Sequence, residues 1–492
     1  MFEAVELGHK IDKATYKRKL PKLRRALLDA QTELREHGGF PVVILISGVD
    51  GAGKGETVNL LNEWMDPRHI RTRAFGEPTT EEQQRPPMYR FWRALPPKGT
   101  IGILFGSWYT QPIVDRVMRR IDTAALDQSI AEINRFEKML VDEGALVLKF
   151  WFHLSKQKQQ KRLRELEKDP ETRWRVTKAD WKNFANYDRF RRWSEHTLRE
   201  TSTGHAPWTI IEGADPEYRS LTAGETLLAA LRRRLDGSKL KQASVEITPI
   251  VPPIDGVRVL DRLDLSRKVE KSAYTRRLEH AQGQLNELFR SKPLRERTVI
   301  AVFEGNDAAG KGGAIRRVTQ ALDARWYDTV SVAAPTEEER AQPYLWRFYR
   351  QLPGRGRMTI FDRSWYGRVL VERVEGFCSE VDWMRAYSEI NDFEEQLARS
   401  GAIVAKFWLA ISKQEQEKRF KLRQKVSYKR FKITAEDWRN RRKWNAYAEA
   451  VDDMVERTST EHAPWTLVEA NDKYHARLKV LETLIAAIEN RS

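Results

Sequence analysis

The chain is written twice. Lys54 and Lys311, Trp108 and Trp365, and Trp208 and Trp465 are each separated by 257 positions, so no net insertion lies between these anchors. A repeat of this period constrains the fold strongly, because whatever one half folds into the other half must be able to fold into as well. With 492 residues, the division falls at two domains of roughly 230 to 240 residues, inside the single-domain range. Residues 1–236 and 257–492 are taken as the two copies. The intervening 237–256, with Ser238, Ser244, Pro249, Pro252 and Pro253, has no helical period and reads as a linker.

Each copy opens with a basic stretch, residues 16–35 or 274–289, whose leucines recur at helical spacing. A short apolar run follows, 42–46 or 299–303, and enters a glycine-rich loop: Gly48-Val49-Asp50-Gly51-Ala52-Gly53-Lys54 in the first copy, Gly305-Asn306-Asp307-Ala308-Ala309-Gly310-Lys311-Gly312-Gly313 in the second. An amphipathic segment, 314–322, leaves the second loop. Strand, loop, helix is the context in which Gly-x-x-x-x-Gly-Lys binds phosphate: backbone N–H groups turn inward, the helix dipole adds positive potential, and the lysine adds a point charge. Further strands are expected at 329–333, 358–361, 403–409 and 466–469, alternating with helical patterns. The fold class that follows is α/β: tandem P-loop kinase-like domains, each a parallel β-sheet flanked by helices with a helical lid.

The second copy carries the richer chemistry. Gly312 stands where a P-loop NTPase usually places a Ser or Thr hydroxyl on magnesium, so another group must hold the metal. Asp307 in the loop and Asp362 at the end of an apolar strand are expected to face one phosphate cleft and to hold Mg2+, with Mn2+ as a substitute. Either could also take a proton from an attacking group. Arg363, Arg368 and Arg373 follow, and Arg347 and Arg350 precede, as candidate forks for phosphate oxygens, with Arg373 an even choice for pairing with Glu372 or Glu375 instead. In the first copy Asp362, Arg363 and Arg368 become Phe105, Gly106 and Gln111, so that copy is expected to be catalytically inactive.

The net charge of +17 points to a polyanionic partner. The charge is clustered: between Lys413 and Lys432 nine Lys or Arg face two acids, where nucleotide kinases carry a lid that closes over phosphates. Cys378 is the single cysteine, which excludes an intrachain disulfide, and a mean hydropathy of −0.64 without a long apolar run gives no membrane partner. The opening residues lack a secretory apolar core, and a cytoplasmic location is expected.

The loop Gly305 to Gly313, the run Phe361-Asp362-Arg363-Ser364-Trp365-Tyr366-Gly367-Arg368, and Ala463-Pro464-Trp465-Thr466 together resemble the polyphosphate kinase 2 family. The resemblance implies a P-loop kinase fold with a helical lid and magnesium-dependent phosphoryl transfer between inorganic polyphosphate and nucleotides. The duplication is similar to the subgroup that phosphorylates AMP to ADP. Residue by residue, the resemblance implies metal binding and acceptor activation by Asp307 and Asp362. Lys311, Arg363 and Arg368 would contact phosphates, and Arg423 would reach them from the lid. Gly305, Asn306, Ala309, Gly310, Gly312, Gly313 and Arg347 complete the expected phosphate and substrate contacts. Inorganic polyphosphate and AMP are the expected partners, nucleic acid is not, and self-association is left open. An ATP-dependent nucleoside monophosphate kinase and a non-catalytic polyanion-binding protein remain as alternatives.

Overall fold

The structure, a computed structural model, describes residues 1–237, 258–427, 433 and 435–490. The expected linker beyond Gly237 and residues 428–432 of the basic segment lie outside these. Contacts divide the described chain into two units. One holds Met1–Pro78, the stretch from Arg90 to the linker, and Thr336–Trp346; the other holds Thr79–Tyr89, the stretch from the linker to Pro335, and the chain from Arg347 onward.

Both units are built on five parallel strands. In the first these are β1 (Val42–Gly48), β2 (Ile70–Ala74), β3 (Ile101–Phe105), β4 (Leu146–His153) and β5 (Trp208–Glu212), in the order β2-β3-β1-β4-β5. In the second, β6 (Thr298–Gly305), β7 (Tyr327–Ser331), β8 (Met358–Asp362), β9 (Ala402–Ala410) and β10 (Trp465–Glu469) repeat that order as β7-β8-β6-β9-β10. Continuous apolar runs such as Val-Val-Ile-Leu-Ile suit strands buried on both faces. β9 is buried along its whole length. The edge strand β7 is mostly exposed and begins two residues before the expected run, since its start is set by pairing of Tyr327 with Met358 rather than by burial. Because β8 and β9 flank β6 on opposite sides, the crevice at the carboxyl end of β6 is the topological switch point, where open α/β sheets bind ligands.

The Ser-Trp-Tyr run shared by the copies is structural. Lys406 on β9 is fully buried and donates to Glu394 Oε2, the Tyr366 hydroxyl and the Thr458 carbonyl at 2.7 Å each. The same glutamate accepts from Trp365 Nε1 at 2.9 Å and Tyr366 at 2.7 Å, and Trp465 Nε1 donates to Thr458 Oγ1 at 2.9 Å. Lys149, Glu137, Tyr109, Trp108, Thr201 and Trp208 build the same network in the first domain. Burial drags the Lys406 ammonium below its ordinary pKa while Glu394 opposes the shift, and the Tyr366 phenol is pushed far above its own. Among the described residues no helix is long and apolar enough to cross a membrane.

Candidate active site

The second domain's loop is shaped by close approach. Gly305 has φ 148°, and a Cβ there would sit 2.5 Å from the Leu409 carbonyl oxygen, so β6 can turn into the loop against β9 only as glycine. Gly310, at φ 109°, caps the helix Lys311–Thr319, which begins where the sequence places the phosphate-binding lysine. Lys311 Nζ donates to the Gly305 carbonyl at 2.8 Å, folding its stem back along the loop. Gly312 faces open space, whereas a Cβ on Gly313 would stand 3.3 Å from Arg477.

Other elements stitch the loop. Asn306 Oδ1 accepts from the Ile411 amide at 3.1 Å, and Gln416 Nε2 donates to the Asp307 carbonyl at 3.1 Å. From the helix Lys413–Lys425, Arg419 donates to the carbonyls of Ala308 and Ala309 at 3.0 Å, of Ala470 at 2.7 Å and of Asn471 at 2.8 Å. This arginine of the basic segment therefore holds the loop's backbone.

Asp307 is 15% exposed and held from two sides, by Asn440 Nδ2 at 2.9 Å and by the Arg363 guanidinium at 3.4 Å. Arg363 itself has left-handed backbone, φ 64°, as β8 turns out of the sheet, and its half-exposed side chain stands at the rim. A cavity of about 80 Å³ lies here, walled by Glu304, Asp307, Arg363, Trp408, Asn440 and Tyr447 among others. Glu304, which sequence reasoning missed, is the penultimate residue of β6 and takes a hydrogen bond from Ser364 Oγ at 2.9 Å. Burial raises its carboxyl above the ordinary range, against the lowering pull of Lys311, the Ser364 hydrogen bond and Arg363. The Trp408 indole N–H is buried without a partner, and burial pushes the Tyr447 phenol well above its ordinary pKa.

The remaining expected residues sit further off. Asp362 is half-buried at the end of β8, paired with Phe303 in register, and outside the cavity's lining. Arg368 Nε lies 3.4 Å from Glu372, while its neighbours Gly367, Leu370 and Val371 line the cavity. Arg347 donates to the Ala333 carbonyl at 3.0 Å. Burial draws the Arg423 guanidinium below its ordinary pKa, against the opposing pull of Asp437 and Asp307. Arg373 pairs with neither Glu372 nor Glu375; it reaches Asp453 at 2.6 Å and the Tyr387 hydroxyl at 2.9 Å, because its fork points across to the helix Trp444–Thr458. Glu375 instead meets Arg439 and Lys443.

The first domain keeps the scaffold, with the loop's aspartate and lysine, and loses Asp362, Arg363 and Glu304 around it. Asp50 is held by Asn183 at 3.0 Å, as Asp307 is by Asn440, and Lys54 donates to the Gly48 carbonyl at 2.6 Å. Glu304 is replaced by Ser47 and Gly313 by Glu56. The Glu56 carboxylate stands in the first turn of the loop's helix and binds Arg219 at 2.7 Å, Arg162 at 3.2 Å and Arg175 at 3.4 Å. An acid at a helix N-terminus among three arginines occupies the electrostatic place of a phosphate.

The polyphosphate kinase 2 family model matches residues 10–239 and 268–492. A polyphosphate:AMP phosphotransferase of Pseudomonas aeruginosa is 59% identical over 489 residues, covering 99% of each chain. One of Pseudomonas syringae pv. tomato is 55% identical over 99% of this chain and 98% of its own. A crystal structure from Pseudomonas aeruginosa PA01, described as a polyphosphate kinase 2, superimposes with a TM-score of 0.90 at 56% identity, over 100% of this chain and 99% of that one.

Proposed function

The chain belongs to the polyphosphate kinase 2 family, and we propose that its second domain transfers the terminal phosphoryl group of inorganic polyphosphate to AMP, giving ADP. The observation that carries the assignment to this domain is the convergence of Glu304, Asp307 and Arg363 on one cavity beside the P-loop, against Ser47 and Gly106 at the matching places of the first.

The loop N–H groups and Lys311 hold phosphate oxygens of the donor. A phosphate oxygen of AMP attacks the terminal phosphorus in line, the bond to the bridging oxygen breaks, and the shortened chain leaves with those electrons. Arg363 lies where charge on the passing group would develop, and Asp307, fixed by Asn440, orients the acceptor and takes its proton if it arrives protonated. The helix Lys413–Lys425 keeps the loop in shape through Arg419. Glu304 and Asp307 offer hard oxygen atoms to one cavity and would hold Mg2+ there, and Asp362, which ends β8 outside that cavity's lining, is the further acid at this end of the sheet. When bound, Mg2+ supplies neutralisation of the polyphosphate charge.

The test is ADP formation by purified protein from AMP, inorganic polyphosphate and magnesium without ATP, with Asp362→Asn alongside. We expect product from the wild type and none from the variant. Product only when ATP replaces polyphosphate would transfer the chain to the ATP-dependent nucleoside monophosphate kinases.

Glu304 also gives a pH prediction. Its raised pKa means that the folded state binds this proton more tightly than the unfolded chain. Glu304 therefore favours folding at acid pH, and that contribution is lost as pH rises through the folded pKa. Metal binding needs the ionised form, so protons and magnesium compete for Glu304, and the magnesium concentration for half-maximal turnover should rise as pH falls. Glu304→Gln should flatten that pH dependence. A magnesium requirement with unchanged pH dependence in Glu304→Gln would remove Glu304 from the reaction.

A further inference from the structure

The two copies furnish the first turn of the loop's helix in opposite ways. In the first, Glu56 on the helix Lys54–Trp64 places a carboxylate there that is 37% exposed and is met by Arg219 at 2.7 Å, Arg162 at 3.2 Å and Arg175 at 3.4 Å. Arg219 arrives from the helix Pro216–Gly237. In the second, the residue matching Glu56 is Gly313, and the matching helix, Lys473–Glu489, delivers Arg477, one position beyond the counterpart of Arg219. The Arg477 guanidinium lies against the turn, 3.3 Å from where a Cβ on Gly313 would stand.

The arginine is kept while its acid is gone. Arg477 is half-buried and, among the described residues, makes no hydrogen bond or ion pair. Two further exchanges add charge to the same helix, where Asn59 and Leu60 become Arg316 and Arg317. Arg316 is exposed, and Arg317 donates to the Gly313 carbonyl at 3.3 Å. Lys311 begins the same turn. A helix N-terminus disfavours cations and favours anions, so arginines gathered there without the first copy's carboxylate suit an incoming anion. Neither Gly313 nor Arg477 lines the cavity that holds Asp307 and Arg363, where the acceptor is received, so this anion belongs to the donor side of the loop.

We propose, resting on the polyphosphate-transfer reading above, that Arg477 is a donor-binding residue: it takes a phosphate of the polyphosphate chain beside Gly313, at the place that the Glu56 carboxylate marks in the first domain. A guanidinium fork binds carboxylate and phosphate oxygens alike, and glycine leaves the room that a phosphate needs. The chain leaves the loop along the face that Gly313 shares with Arg316, three residues further on.

Steady-state kinetics of the full-length chain test this, with inorganic polyphosphate varied at saturating AMP and AMP varied at saturating polyphosphate. Arg477→Gln should raise the KM for polyphosphate about tenfold or more while kcat and the KM for AMP stay near their wild-type values, because the lost contact is held equally before and during transfer. Arg477→Lys, which keeps the charge without the fork, should fall between the two. Gly313→Glu, which installs the first domain's acid against Arg477, should raise the polyphosphate KM at least as far. Calorimetric titration with inorganic polyphosphate alone reads the same contact without turnover. A wild type that forms no ADP from polyphosphate would remove the transfer reading, and the titration then decides for Arg477: weaker binding by Arg477→Gln keeps it as a phosphate-binding residue, and equal binding overturns the proposal. An unchanged polyphosphate KM in Arg477→Gln, a rise in the KM for AMP instead, or a loss confined to kcat and the melting midpoint overturns it as well. Arg477→Gln breaks no hydrogen bond or ion pair among the described residues, so it keeps the test valid if Gly313→Glu does not fold.

Discussion

Asp307→Asn is expected to lower kcat by about 10²–10⁴-fold, while the matching Asp50→Asn leaves it unchanged. The two positions form a control built into the chain. Asp307 accepts from Asn440 at 2.9 Å and Asp50 accepts from Asn183 at 3.0 Å, so an asparagine carbonyl can keep the same scaffold bond in either domain. Each substitution should therefore cost similar stability, about 1 kcal/mol. What differs is the second contact. Asp307 faces the Arg363 guanidinium at 3.4 Å across the cavity, whereas Asp50 has Gly106 in that place and only its own loop lysine at 3.5 Å. In Asp307→Asn the uncharged amide loses its attraction for Arg363 and can neither hold a cation nor take a proton. Steady-state kinetics and melting of both variants separate these effects. Equal loss of turnover in Asp50→Asn would mean that both copies catalyse, and the division of labour argued from Phe105, Gly106 and Ser47 would fall.

The same comparison shows what could be read from the chain and what could not. The loop, its flanking strands and Asp307 were legible because they are contiguous: glycine spacing, an apolar run and a helix start lie within about one turn of structure. Glu304 was not, since an acid at the end of an apolar run looks like the strand's solvent-facing end; only the sheet reveals that it is buried under Ser364. One signal was available, the Glu304 to Ser47 difference between copies, which belongs with the Asp362 to Phe105 difference. Asn440 and Gln416 carry the opposite signal, being identical to Asn183 and Gln159 at the repeat distance, and they turn out to fix the loop. Arg373 could not be assigned from spacing, because its partner Asp453 is 80 positions away. The edge strand β7 was displaced for a related reason: an exposed strand is defined by its neighbour's hydrogen bonds rather than by its own side chains.

Lys406→Met should destabilise the second domain by about 3–5 kcal/mol, because it leaves the Glu394 carboxylate buried without its cation. For a domain of this size that corresponds to a fall of roughly 6–20 °C in the melting midpoint. Both side chains are fully buried, and Trp365 and Tyr366 would still donate to the stranded carboxylate, which softens the loss without neutralising it. The double variant Lys406→Met/Glu394→Gln should recover part of the stability. A glutamine carbonyl can accept from Trp365 and Tyr366 while carrying no charge, so the pair should show a coupling of about 0.5–3 kcal/mol in a double-mutant cycle. Lys149→Met should incur a comparable cost in the first domain, where Lys149 meets Glu137 at 2.7 Å and the Thr201 carbonyl at 2.6 Å. Turnover separates support from chemistry: assayed well below its midpoint, Lys406→Met should retain near-normal kcat, since its contacts end on the back of the Ser-Trp-Tyr turn and not in the cavity. A Lys406→Met protein that melts normally but has lost turnover would place the buried lysine in the reaction. Normal melting with normal turnover would mean that the interior relaxes around the unpaired acid.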